Sequence, residues 1–206
     1  GQKVPYTVSG GSSFFDRAEI KDLTAYLRLI ANTDDDPAFI RAITTPKRGI
    51  GNQTLEKLAG YAGTRNISLF AAAFESAMAH QLPARQHEEL LTFCNFINRM
   101  EARANKEECA TVMADLMSAI DYEAWLFDSH EPRQAESKWA NVTDFVSWIN
   151  RKSEADGKTL LAMTQTIALI NLLESREEEV DAVSLSTLHA AKGLEFGHVF
   201  MVGVEE

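Results

Sequence analysis

The spacing of apolar positions changes twice along the chain. "VPYTVSG" (Val4 to Gly10) alternates apolar and polar residues as a short strand does, and the Gly10-Gly11 pair interrupts it. Beyond this break Ile20, Leu23, Tyr26, Leu27 and Ile30 recur at helical intervals and form a single apolar stripe. Asp16 and Glu19 are spaced as a capping box that would open this helix. In "TDDDPAFIRAI" an Asp cap and Pro37 in the first turn predict a second helix. The run "TPKRGIG" (Thr45 to Gly51) stops the pattern, and Asn52 is placed to cap the helix "QTLEKLAGYA".

From Ser68 to Glu174 the text reads as helix, with no strand-like alternation. "ELLTFCNFINRMEARA", "TVMADLMSAI" and "WANVTDFVSWINRKS" each carry an apolar face at 3–4 spacing, and breaks fall near Pro83, Asn105, Pro132 and Gly157. Trp125, Phe127, Trp139, Phe145 and Trp148 lie on these faces, where core packing is expected before base stacking. After the acidic "SREEEVDA" the period shortens again: "VSLSTLH" and "HVFMVGV" are β-rich. Strand character at both ends around a helical middle predicts a helical domain inserted into an α/β sheet domain, with the two ends meeting at that sheet.

Composition narrows the function classes. The 206 residues are 45% hydrophobic, enough for a core, and no apolar run reaches the roughly 18 residues that a membrane span needs. Cys94 and Cys109 both fall in helical segments, read as buried free thiols, and fit a reducing, cytoplasmic compartment. His80, His87, His130 and His198 do not cluster with Cys or acids at ligand spacing, so no metal site is expected. The net charge of −10 excludes a uniformly basic nucleic-acid surface, leaving local patches. One runs from Arg41 to Arg65, where Arg41, Lys47, Arg48, Lys57 and Arg65 face Glu56 alone. A first residue of glycine and a stop directly after a strand read as an excerpt of a longer chain.

Two stretches carry candidate chemistry. "STLHAAKGLEF" (Ser186 to Phe196) follows one strand and precedes another, which puts it at a carboxyl edge, where open α/β sheets bind ligands. His189 can titrate near neutral pH, Lys192 can meet a phosphate, Gly193 permits a tight turn, and Glu195 can accept from sugar hydroxyls. By residue chemistry alone, the same stretch also reads as a polar surface loop. In "KRGIG", Gly49, Ile50 and Gly51 form a turn ahead of a helix start, whose N–H groups and positive end suit a phosphate. Lys47 and Arg48 add charge, Ile50 can anchor the turn inward, and Thr54 can add a hydroxyl. The bland alternative is a structural turn with two solvated cations; the local surplus of positive charge favours contact with duplex phosphates, which position DNA without reading it.

"VSLSTLHAAKGLEFGHVFMVGVEE" closely resembles motif V of the superfamily 1A DNA helicases, the Rep, UvrD and PcrA group, and leans toward its Rep-type members. "YTVSGGSSFFDRAEIKDLTAYLRLIAN" (Tyr6 to Asn32) is similar to the segment often called motif IVa, and "TPKRGIGNQTLEKL" to the glycine-containing turn opening that family's helical insertion. The matches occur in the expected order and cover essentially the whole chain.

The resemblance implies a mainly α fold: a helical 2B insertion at 34–180, with small α/β remnants of the RecA-like 2A lobe at 1–33 and 181–206. It implies a fragment of an ATP-dependent 3′–5′ DNA helicase, bacterial, cytoplasmic and DNA-associated. ATP and Mg2+ would be the parent's cofactors. Its other subdomains 1A, 1B and 2A, and replication or repair proteins, would be partners, and no membrane is implied. Glu195, His189 and Gly193 would then serve nucleotide binding and coupling. Thr187 and Lys192 would lie beside single-stranded DNA, as would Gly11, Ser12 and Ser13, although some relatives carry a larger or basic residue where Ser13 stands. Lys47, Arg48, Gly49, Ile50, Gly51 and Thr54 would meet the duplex. No GxxxxGK[ST] loop is present, so the chain by itself is expected not to hydrolyse ATP. Two rival readings remain: a non-catalytic autoinhibitory or protein-interaction module, and the helicase portion of a helicase–nuclease.

Overall fold

A computed structural model describes residues 6–9, 14–175, 183–188, 191–193 and 195–203. Strand β1 (Tyr6–Ser9) precedes a 3-10 turn (Phe14–Asp16) and helices α1 (Ala18–Ala31), α2 (Asp36–Thr44) and α3 (Asn52–Arg65). Two short helices, α4 (Leu69–Ala73) and α5 (Met78–Gln81), lead into α6 (Ala84–Ala104), α7 (Cys109–Ile120), α8 (Tyr122–Ser129), α9 (Pro132–Asp156) and α10 (Leu160–Ser175). Strand β2 (Val183–Ser186) follows.

The predicted meeting of the two ends is present. β1 and β2 pair in parallel, Tyr6 opposite Val183 and Ser9 opposite Ser186, so the whole helical body is the crossover between them. The described part of "HVFMVGV" does not form the expected second strand: residues 198–203 are irregular, with Phe200 and Val202 each 91% exposed. In the strands themselves Tyr6, Val183 and Leu185 are 65%, 52% and 49% exposed, so the two do not make a self-sufficient sheet, because parallel sheets are stable with both faces covered.

Helix α1 is the centre of the helical body. It packs against α2, α6, α9 and α10, and Ile20, Leu23, Tyr26, Leu27, Leu29 and Ile30 are buried, as the stripe requires. Although α1 falls in the segment 1–33 expected to go with the sheet lobe, its side chains fill the helical core. The Asp16–Glu19 capping box is not formed: Arg17 occupies the cap without a side-chain bond. Glu19 instead turns inward, accepting from Lys138 Nζ at 2.8 Å and Asn141 Nδ2 at 2.7 Å on α9.

Other local signals hold. Asp35 caps α2 by accepting from the Ala38 N–H at 3.1 Å, with Pro37 in the first turn. Helix α9 ends at Gly157 with φ +62°, a left-handed position that glycine takes without strain. Phe145 is buried against Phe14 and Phe15, both ring centres at 6.0 Å, and stacks on Trp148, which seats the 3-10 turn on α9. Trp125, Trp139 and Trp148 pack at the edge of the core, but Phe127 is 44% exposed, because α8 turns that side to solvent. Both cysteines are buried free thiols, and burial pushes the Cys94 thiol up to about 12.

Candidate nucleic-acid interface

Residues 45–54 link α2 to α3. Gly49 sits at φ +74°, where a residue with a side chain is strained, and this lets the chain reverse after Arg48. Ile50 is buried and anchors the turn, as its apolar character predicts. Gly51 has an extended backbone with open space around it. It is the N-cap of α3, so Asn52 begins the helix and does not cap it; no side chain caps this end. The first N–H groups of an α-helix have no intrahelical partner, so α3 presents an open positive terminus beside the turn.

The two cations of the turn have opposite fates. Lys47 is exposed. Arg48 is not a solvated cation reaching for phosphate: its Nη1 donates to the carbonyls of Ala42 and Pro46, each at 2.8 Å, and its Nη2 to the Tyr26 hydroxyl. The guanidinium lies over the rings of Phe93 (5.2 Å) and Tyr26 (5.6 Å). Tyr26 is buried and its hydroxyl donates to the Ala42 and Thr45 carbonyls at 2.8 Å. Burial pushes its pKa up to about 12 against the opposing pull of Arg48, so it stays a neutral donor. Thr54 is only 7% exposed, since it lies on the inner face of the first turn of α3, and it offers little surface to a phosphate.

The remaining cations of the basic stretch are engaged. Arg41 pairs with Asp22 at 2.7 Å, Arg65 with Glu75 at 3.6 Å, and Lys57 Nζ donates to the Gln81 carbonyl at 3.0 Å. Among the described residues, Lys47 is the one member of that group without a hydrogen-bond or ion-pair partner. The patch therefore narrows to Lys47 and the start of α3.

The second candidate stretch follows the carboxyl end of β2, as expected. Thr187 leaves the strand, its carbonyl accepts from the Ala191 N–H at 3.0 Å, and Gly193 turns at φ +88°. Lys192 and Glu195 are exposed beyond it. His189 lies outside the described residues, as do Gly11, Ser12 and Ser13. What sequence reasoning missed is the support under the first turn. Tyr26 and Phe93 read as ordinary members of apolar stripes, and no local signal marks them as partners of Arg48.

Residues 1–206 match the UvrD-like helicase C-terminal domain. The chain belongs to this family. It is 44% identical over 211 residues to the ATP-dependent DNA helicase Rep of Salmonella typhimurium and to that of Escherichia coli, in each case over 99% of this chain and 31% of the relative. It is 36% identical over 208 residues to the ATP-dependent DNA helicase PcrA of Bacillus subtilis, over 98% of this chain and 28% of the relative. The chain thus spans about a third of the length of the curated relatives it matches. Among the described residues, no helix is long and apolar enough to cross a membrane.

Proposed function

We propose that this chain is part of an ATP-dependent DNA helicase: the helical 2B insertion together with short flanking pieces of the RecA-like 2A lobe. The observation that carries this reading is the parallel pairing of Tyr6–Ser9 with Val183–Ser186, which makes the helical body an insertion between adjacent strands of one sheet. Burial of α1 in that body supports a boundary before Ala18, earlier than the 33/34 division that the motifs suggest. In the parent, two motor lobes step 3′ to 5′ along single-stranded DNA, and the insertion meets the duplex ahead.

Lys47 and the open start of α3 are the duplex contact, with Gly49, Ile50 and Gly51 shaping the turn. Thr187, Lys192 and the segment holding Gly11, Ser12 and Ser13 border the single strand. Gly193, Glu195 and His189 face the nucleotide. Glu195 offers a hydrogen-bond acceptor to a nucleotide sugar, and that is not a site for Mg2+ and a triphosphate. Among the described residues no group of three His, Cys, Asp or Glu side chains is arranged to hold a metal ion. The sequence carries no GxxxxGK[ST] loop, so on this reading the triphosphate and Mg2+ are assigned to other parts of the parent, and no ATP hydrolysis is expected from this chain by itself.

The test is fluorescence anisotropy of the chain with a labelled partial duplex across a salt series. Salt-sensitive binding that Lys47→Glu weakens is the expected result. Binding unchanged by Lys47→Glu removes the duplex contact. In that case the net charge of −10 and the engagement of Arg41, Arg48, Lys57 and Arg65 within the protein favour the second reading, a regulatory surface for a protein partner. For the full-length protein, unwinding of duplexes with a 3′ but not a 5′ single-stranded tail checks the polarity.

A further inference from the structure

We propose that Arg48 is a positioning residue: anchored on the Ala42 and Pro46 carbonyls and the Tyr26 hydroxyl, its guanidinium holds the turn so that Lys47 and the uncapped start of α3 face outward together as a preformed phosphate-binding site. This inference rests on the reading of the turn as a duplex contact and assigns Arg48 a role different from its neighbour's.

The geometry distinguishes position from charge. A phosphate contact needs donors directed at solvent, whereas Arg48 directs Nη1 at the end of α2 and at the turn itself, through Ala42 O and Pro46 O at 2.8 Å. The acceptors come from two places that must keep a fixed separation: the last turn of α2 and the loop that leaves it. Tyr26 of α1 meets the same two places from below, through Ala42 O and Thr45 O. Phe93 of α6 closes the stack under the guanidinium. Arg48 is thus the piece that ties α1, α2 and α6 to one loop.

A lysine cannot replace this arrangement. Its ammonium is a point donor on a flexible stem, without the planar fork that reaches several acceptors at once or the flat face that stacks on rings. The charge stays outside the DNA contact yet controls it, because the Lys47 side chain and the α3 N–H groups form one site only if the loop between them is fixed. A preformed site avoids the entropy of ordering that loop upon binding.

The role predicts a pattern that a direct contact does not. In anisotropy titrations of the 206-residue chain with a labelled partial duplex, Lys47→Arg keeps wild-type affinity. Lys47→Gln lowers affinity about tenfold near 0.1 M salt and reduces the log–log salt slope by about 0.9, as loss of one phosphate contact requires. Arg48→Lys, with net charge unchanged, weakens binding as much as Arg48→Gln does. Adding Lys47→Gln to Arg48→Lys costs less than it does in wild type, since the two act on one site.

If Arg48→Lys binds like wild type while Lys47→Gln does not, charge alone matters at position 48; the positioning role is then wrong and the duplex reading stands. If wild type shows no salt-sensitive binding, the duplex reading itself fails. Amide hydrogen exchange, which needs no DNA, then decides the structural half. Arg48→Lys should accelerate exchange at residues 47–53 by at least about tenfold while α9 keeps its protection. Unchanged exchange in the turn overturns the proposal.

Discussion

The Tyr122 hydroxyl donates to Asp22 Oδ2 at 2.6 Å across a separation of 100 positions, and Arg41 Nε holds the other carboxylate oxygen at 2.7 Å. One buried carboxylate of α1 thereby ties together α2 and α8. Burial, and then the negative charge of Asp22, push the Tyr122 hydroxyl well above its ordinary range, so it remains a donor at any physiological pH. Tyr122→Phe should cost about 1–2 kcal/mol, the worth of a hydrogen bond to a charged group. Asp22→Ala should cost more, about 3 kcal/mol, because it leaves the buried Tyr122 hydroxyl unsatisfied and also removes the ion pair with Arg41, which keeps its bond to the Ala18 carbonyl. Urea unfolding of the two variants checks the order; a Tyr122→Phe loss equal to that of Asp22→Ala would contradict it.

Glu19 makes stability depend on acid. Burial acts to raise its pKa, but the Lys138 ammonium, a backbone hydrogen bond and the Asn141 amide together outweigh burial and hold the carboxyl below its ordinary 4.5. A folded-state pKa below the unfolded one stabilises the fold above the unfolded value, and this contribution fades as pH falls through the folded value. Wild type should therefore exceed Glu19→Gln in stability at pH 7, with the gap closing progressively below about pH 4.5. Urea midpoints for both proteins from pH 7 to pH 3 give the comparison; a gap that stays constant would argue against an ionised Glu19.

Phe145 carries the seating of the entry segment. It is buried beneath Phe14 and Phe15, so Phe145→Ala should cost about 3–5 kcal/mol, and Phe145→Leu under about 1.5 kcal/mol. Guanidinium unfolding measures both. Faster hydrogen exchange at residues 14–17 in the alanine variant would show that the loss is localised there.

Glu195 tests the nucleotide side of the proposed function. In the full-length protein, Glu195→Gln removes a charged acceptor, and the KM for ATP should rise about tenfold with kcat changed less. Steady-state ATP hydrolysis with saturating single-stranded DNA supplies both constants. An unchanged KM would remove Glu195 from the nucleotide contact.

Much of the fold was legible from local pattern. The spacing of Ile20 to Ile30 encodes a helix with one buried face whatever it packs against, and Pro37 and Asp35 mark the start of α2 through backbone chemistry alone. The strand-like texture around Tyr6 and Val183 also suggested a shared sheet, because an isolated strand cannot satisfy its own backbone. Even the need for Gly49 was readable, since a reversal after Arg48 calls for a residue that tolerates positive φ.

The destinations of the polar side chains were not legible. Asp16 and Glu19 have capping-box spacing, yet Glu19 finds Lys138, 119 positions away, and a buried charge-assisted bond outweighs an exposed cap. Lys47 and Arg48 are adjacent and equal in formal charge, but one is free and the other is bound beneath the turn. Periodicity reports which face is apolar, a property of each residue and its near neighbours. Which cation meets which carbonyl depends on α1, α2 and α6 converging at one point, and distances between distant helices exist only after the chain has packed.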